Sequence, residues 1–258
     1  MTRNKISETK TDRKELPGKR SVIRLKTVDS THKFAVRLIE SKRASECAII
    51  AENQTAGVGR CNRVWESPRG NLFMSIIKKL PENYDAGKLS LTAACAVHRA
   101  ISQYIPDNLY LHWPNDIYYK KLKLAGILIA VVECRLVISV GINVNFAPKA
   151  GTATCLRDVC GRRIVSVEEV FGDVSVESDN WLCALENLGF SYIRDCWLRY
   201  ISEINCDVTV KNGGDSLSGI IRGIDDSGRL ILEKDGQNLL ISSGDMFLDT
   251  ERITVSYG

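Results

Sequence analysis

Two apolar runs, Leu122–Val132 and Leu136–Val144, are separated only by Glu133–Arg135. Strands this close in sequence pair antiparallel, so the stretch predicts a β-ribbon with its tip near Glu133–Arg135. Gly126 interrupts the first strand and Gly141 the second. A glycine inside a strand often marks a bulge or a close approach of backbone to a ligand. The longest helical pattern, Ala86 to about Ile105, is apolar over much of its circumference and reads as a central packed helix. Ribbon and helix together predict an α+β fold, a mixed β-sheet with packed helices.

The remaining segments fill in that plan. Residues 1–20 are polar, with alternating charges and Pro17-Gly18, and predict a disordered tail. Ser21–Val28 alternates and predicts a strand, and Cys47–Ala51 and Asn71–Ile77 predict two more. Asp29-Ser30-Thr31 supplies N-cap candidates for a helix to about Arg43; a helix N-terminus is also a ready anion site. Leu109–His112 predicts a short strand leading into a Trp113-Pro114-Asn115-Asp116 turn, and residues 146–165 a loop. Val167 to about Ile204 reads as two helices punctuated by Gly189. From about Cys206 the pattern changes to short strands between Asn212-Gly213-Gly214, Asp226-Ser227-Gly228 and Lys234-Asp235-Gly236 turns, which suggests a small SH3-like β-barrel. The expected organisation is therefore a tail (1–20), a catalytic domain (21–205) and the barrel module (206–258).

Composition narrows the class. A net charge of +4 is too small to argue for a nucleic-acid protein without a basic patch, and it suits anionic small ligands or acidic partners equally well. Nine cysteines lack any C-x-x-C spacing and are accompanied by only three histidines, so neither a zinc site nor a disulfide framework is expected. They read as small buried residues of a reducing cytoplasm. The start of the chain has no apolar signal segment, and no apolar run is long enough to span a bilayer.

The chemistry concentrates in Gln54–Trp65. Gly57 and Gly59 allow the backbone to adopt positive φ and to form a concave anion nest. Arg60 and Arg63 offer planar forks suited to phosphate or carboxylate, and Trp65 a flat surface for a ring. Read alone, the stretch is a loop that closes over a small anionic, partly aromatic ligand, or else a mobile surface loop. Lys123 is either a functional cation or the last member of the Lys120, Lys121, Lys123 run.

Five motifs in order carry a resemblance to the biotin protein ligases, of the monofunctional type without a DNA-binding domain. They are Asp29-Ser30-Thr31, Gln54–Trp65 (family pattern Q-x-A-G-R-G-R-x-x-R-x-W), Trp113–Asp116 (K-W-P-N-D), Lys123–Leu128 (K-L-A-G-I-L) and Gly141–Asn145 (G-I-N-V-N). The resemblance covers roughly residues 22–250 and implies a catalytic domain like that of class II aminoacyl-tRNA synthetases, followed by the SH3-like module. It implies that biotin and ATP, with Mg2+, give biotinyl-5′-AMP and pyrophosphate, and that a lysine of a biotin carboxyl carrier protein or domain then displaces AMP. By that resemblance Lys123, Arg60 and Asp116 are catalytic. Ser30, Thr31, Gln54, Gly57 and Gly126 join Arg60 and Lys123 around biotin, and Arg63, Trp65, Asn115 and Asn143 serve ATP. Trp65 is then an adenine platform or a hinge anchor, and Asp116 orients or deprotonates the incoming lysine or simply holds its turn. No protein-held metal, nucleic acid or membrane partner is implied, and either a monomer or a homodimer is compatible. A lipoate or octanoate transferase of the same superfamily, or a catalytically weak biotin-binding module, remains as an alternative. The loop is expected to be a lid, largely disordered without ligand.

Three positions depart from the family pattern. Val58 replaces the first arginine of G-R-G-R, His112 stands where lysine precedes Trp-Pro-Asn-Asp, and Ala130 stands where glutamate is frequent. Val58 removes a charge and a donor from the loop. The expected consequence is weaker retention of biotinyl-AMP than in Val58→Arg; stopped-flow release of labelled adenylate checks this, and equal rates refute it.

Overall fold

The computed structural model describes residues 21–82, 85–105, 107–149, 151–161, 164–212 and 214–248. The predicted tail and the last ten residues of the predicted C-terminal module lie outside them. Seven strands form a mixed sheet in the order β1-β2-β3-β7-β6-β5-β4, and five form an antiparallel sheet in the order β11-β10-β9-β8-β12. The described residues divide into two compact units, those up to 81 with 124–176 and those of 82–123 with 177 onward.

In the first unit, β1 (Ser21–Leu25) pairs parallel with β2 (Cys47–Ala51), and β2 pairs antiparallel with β3 (Leu72–Lys79). The ribbon follows as predicted, β6 (Leu122–Val132) against β7 (Arg135–Ile142), with β7 also paired to β3. Glu133 and Cys134 make the ribbon turn at φ 45° and 59°. Two consecutive left-handed residues match the twist of the flanking strands, a task for which Asn-Gly is the usual sequence. Helix α1 (Thr31–Glu40) lays Ala35 and Ile39 on Cys47, Ile49, Ile77 and Val137, and this cluster is one buried core of the unit. The first strand thus ends at Leu25 and the first helix at Glu40, each three residues short of the sequence expectation. Arg24 forms a forked ion pair with Glu168 at 2.9 and 2.5 Å, tying β1 to the start of α4 (Val167–Leu198). The predicted loop 146–165 contains one short helix, α3 (Leu156–Val159).

In the second unit, α2 (Ala86–Ser102) is buried along most of its length, as its apolar pattern requires, and Asp85 caps it by accepting from the Lys88 N–H at 3.0 Å. β4 (Leu109–His112) and β5 (Asp116–Tyr119) form a hairpin that places His112 opposite Asp116. The Trp113–Pro114 peptide in its turn is cis. The sequence reading ended at that turn and missed β5, because four residues with no clear alternation carry little signal. Gly189, at φ 80°, breaks α4 where the two-helix reading put its boundary. The C-terminal strands are β8 (Asp207–Asn212), β9 (Asp215–Ile224), β10 (Leu230–Lys234), β11 (Gln237–Ile241) and β12 (Asp245–Leu248). Asp235 and Gly236, both at positive φ, turn β10 into β11. β12 was not expected; it pairs with β8. Among the described residues no helix is long and apolar enough to cross a membrane.

Two asparagines pin the chain as it leaves β7. Asn71 Oδ1 accepts from the N–H groups of Val144, Asn145 and Phe146, each at 3.0 Å, while its Nδ2 donates to Phe146 O at 2.8 Å. Asn145 Nδ2 donates to Gly70 O and Val165 O, and its Oδ1 accepts from the Val165 N–H. Removing the Asn71 acceptor strands N–H groups that have little access to water. Asn71→Ala is therefore expected to cost about 2–3 kcal/mol in urea unfolding, and Asn71→Asp, which keeps the acceptor but sets a second oxygen against the Phe146 carbonyl, is also expected to destabilise.

Candidate active site

In the first unit the loop begins where Gln54 reaches back to α1. Gln54 Oε1 accepts from the Thr31 N–H at 2.8 Å and from its hydroxyl at 3.3 Å. The first orphan N–H of the helix is thus capped from outside. Ser30 occupies the N-cap position but makes no side-chain cap bond, and Asp29 is occupied elsewhere, in a forked pair with Arg37 at 2.7 and 2.8 Å. The arginine holds the Asp29 carboxyl below its usual range, against the opposing effect of partial burial. The local capping expectation for Asp29-Ser30-Thr31 is corrected accordingly.

On its other side Gln54 Nε2 donates to Ser67 Oγ at 3.0 Å, and Ser67 donates to Trp65 O at 3.0 Å. The loop between is a closed hairpin: Trp65 N–H to Gly57 O at 3.0 Å, a bridge between Val58 and Val64, and Gly59 N–H to Arg63 O at 2.8 Å. This replaces the expected disordered lid. It also corrects the glycine reading, since neither Gly57 nor Gly59 has positive φ, and the left-handed residues are Cys61 (52°) and Asn62 (57°) at the tip. Gly57 is required for another reason. A Cβ there would lie 2.5 Å from Trp65 O and 2.6 Å from Ser67 Oγ. Arg60 is half-buried, Arg63 is exposed with its Nε donating to Arg60 O at 3.3 Å, and Val64 is 84% exposed.

The Trp65 indole rests on β7 at Gly141, where an added Cβ would sit 2.6 Å from its Cε2 atom. Gly141 faces Gly126 of β6 across the ribbon. At Gly141 the close approach is that of this chain's own Trp65 ring. Two residues along β7 on the same face, Ser139 Oγ bonds His32 Nδ1 at 2.9 Å and Ser75 Oγ at 2.8 Å, a buried polar row the sequence reading missed. Burial, with the Lys33 charge beside it, lowers the His32 pKa. Asn143 is 1% exposed, and its side-chain Oδ1 is buried with no hydrogen-bond partner among the described residues. A buried acceptor left open in this way is costly. The backbone N–H groups near this strand end are taken by the side chains of Asn71 and Asn145.

In the second unit Lys123 Nζ donates to Asp116 Oδ2, while Asp116 Oδ1 is buried and has no partner among the described residues. Asn115 beside it is buried. Lys123 is therefore no solvated member of a lysine run: it is a partly buried cation held by a carboxylate. β6 carries Lys123 and, three residues on, Gly126.

Residues 25–146 match the Biotin/lipoate A/B protein ligase family, and residues 204–249 match the Biotin protein ligase C terminal domain. The chain is 30% identical over 238 residues to the biotin–[acetyl-CoA-carboxylase] ligase of Paracoccus denitrificans, spanning 86% of this chain and 98% of that one. It is 34% identical over 211 residues to the enzyme of the same name from Mycobacterium tuberculosis, covering 77% of each. The chain belongs to the biotin protein ligase family, and the lipoate or octanoate transferase alternative gives way. A structure of the biotin protein ligase from Aquifex aeolicus in complex with biotin and ATP superimposes with a TM-score of 0.78 at 26% identity, covering 88% of this chain and 97% of that one.

The two loop-contact glycines separate sharply. Gly141→Ala is expected to expel the indole and cost about 1–3 kcal/mol through overpacking. Gly59 is extended, at φ −107°, and its Cβ would meet only Arg63 O, at 3.6 Å. Gly59→Ala should stay within about 0.5 kcal/mol of wild type, with thermal unfolding of both variants as the measurement.

Proposed function

We propose that this chain activates biotin with MgATP to biotinyl-5′-AMP and then biotinylates a lysine on the carrier protein or domain of acetyl-CoA carboxylase, the target in its relatives' names. The observation that carries this reading is the Lys123–Asp116 pair with its open carboxylate oxygen. In the first step a biotin carboxylate oxygen attacks the α-phosphorus of ATP, and the bond to the departing pyrophosphate breaks. Two anions must approach, so positive charge is needed where they meet. The cations assigned to this charge are Arg60 and Arg63, and Lys123 is assigned to the carboxyl and bridging phosphate oxygens. Mg2+ enters with ATP as part of that substrate, neutralising phosphate charge.

Thr31, Gln54 and Ser30 are the proposed partners of the biotin ureido group, with Gly57 and Gly126 providing close backbone approach. Trp65 closes over the ligand, and Asn143 and Asn115 offer amides to the nucleotide. In the second step the carrier lysine attacks the acyl carbon, the bond to AMP breaks, and the amine proton passes to Asp116, free once Lys123 has turned to the phosphate. We assign this chemistry to residues 21–205, with residues 206–258 as the SH3-like module. Nine free thiols suit a reducing cytoplasm.

Biotin-dependent release of pyrophosphate from ATP tests the proposal. Lys123→Ala is expected to lower the rate by roughly two to three decades, the usual effect of removing one preorganised donor to developing charge. Wild-type protein that releases no pyrophosphate with biotin, or as much with lipoate, overturns it.

A further inference from the structure

His112 is the last residue of β4, and both of its ring nitrogens point at oxygen atoms. Nδ1 lies 3.0 Å from Glu203 Oε1, and Nε2 lies 3.1 Å from the main-chain carbonyl of Met246 in β12. With Glu203 ionised, both oxygens are acceptors only. A neutral imidazole has one N–H and one lone pair, so one of the two contacts would set a lone pair against an oxygen. Only the imidazolium satisfies both. Glu203 leads to the same conclusion. Its side chain is 7% exposed against 13% for His112, and its other oxygen is taken by the Ser202 N–H at 3.2 Å. A carboxylate this buried needs a cation, and His112 is its ion-pair partner among the described residues.

The ring is held from other directions too. It packs on Tyr118 of β5 with 4.7 Å between centroids, and it stands opposite Asp116 in the hairpin register. The charged groups around it therefore alternate: Glu203 after α4, His112 on β4, Asp116 on β5, and Lys123 on β6, paired with Asp116. Cys206, whose thiol is raised mainly by burial and then by Glu203 and Asp207, is a further titratable neighbour of Glu203.

We propose that His112 is a positioning residue: as an imidazolium it clasps Glu203 and the C-terminal strand β12 to the β4–β5 hairpin, fixes Asp116 and with it Lys123, and makes the use of ATP depend on one proton. The inference rests on the ligase reading of Lys123 above, and it gives the C-terminal sheet a task in the reaction. The direction of titration agrees. Burial alone opposes the charged ring, but Glu203, Asp116 and the Met246 carbonyl outweigh it and raise the His112 pKa above its ordinary value. A raised folded-state pKa gives stability that is complete below about 6.5 and is lost as pH climbs through the folded value. The clasp is closed in mild acid and opens towards alkaline pH.

Two measurements on the full chain decide the matter. The first follows the imidazole resonances of the three histidines with pH, His112 being assigned by its loss in His112→Lys. It is expected to titrate above about 6.5 and to move down in Glu203→Gln. The second follows KM for MgATP in biotin-dependent pyrophosphate release between pH 6 and pH 9. In wild type KM should rise roughly tenfold as a charge-assisted bond is lost, with a smaller change in kcat. His112→Lys, a permanent cation with several donors, should remove that rise, and His112→Gln should hold KM high throughout. Titration of His112 at or below the ordinary value, or superimposable KM profiles for wild type and His112→Lys, overturns the clasp. A chain with no biotin-dependent release at all overturns the ligase reading alone, and the imidazole titration still decides whether His112 is the charged clasp.

Discussion

The side-chain amide of Gln54 is the fastening on which the first unit's loop depends. Its carbonyl takes the N–H that begins α1, and its amino group takes Ser67, which in turn holds the carbonyl of Trp65. Three segments far apart in sequence are thereby set in register by one planar group whose donor and acceptor ends both find partners. The arrangement also explains why the loop is a hairpin. With Gln54 and Trp65 fixed, the ten residues between them have their ends tied, and Gly57–Trp65, Val58–Val64 and Gly59–Arg63 pair as a ladder. The arginines are then presented by a framed turn instead of a free chain.

The second unit is governed by charge instead. Glu203, His112, Asp116 and Lys123 alternate in sign, three of them largely buried, and each ion is tolerable only because of its neighbour. The departure at position 112 acquires a physical meaning in this row. A lysine there would be a cation at every relevant pH, whereas a histidine is one only under conditions its neighbours help to set.

What was legible in the sequence was whatever a local pattern encodes. The ribbon, the apolar α2, the break at Gly189 and the Asp235-Gly236 hairpin each follow from periodicity or from a residue with one well-defined backbone habit. The ribbon tip shows the limit: Glu133-Cys134 makes a left-handed two-residue turn without any of the residues that announce one, because the long paired strands impose it. The same holds at the loop tip, where Cys61 and Asn62 carry the conformation expected of the glycines. Motif order identified Lys123, Trp65, Gly141 and Asn143 as positions of interest. It gave no sign of Asn71, Ser67 or Glu203, whose importance lies in which distant backbone or side-chain atoms they meet.

The floor beneath the Trp65 indole is main chain. A pocket wall made of side chains is adjustable by small steps, each substitution trading a little volume or polarity. At Gly141 there is no side chain to trim, and any replacement fills the space that the ring occupies. That position behaves as a switch with one working setting: the ring and the main chain beneath it can change only together.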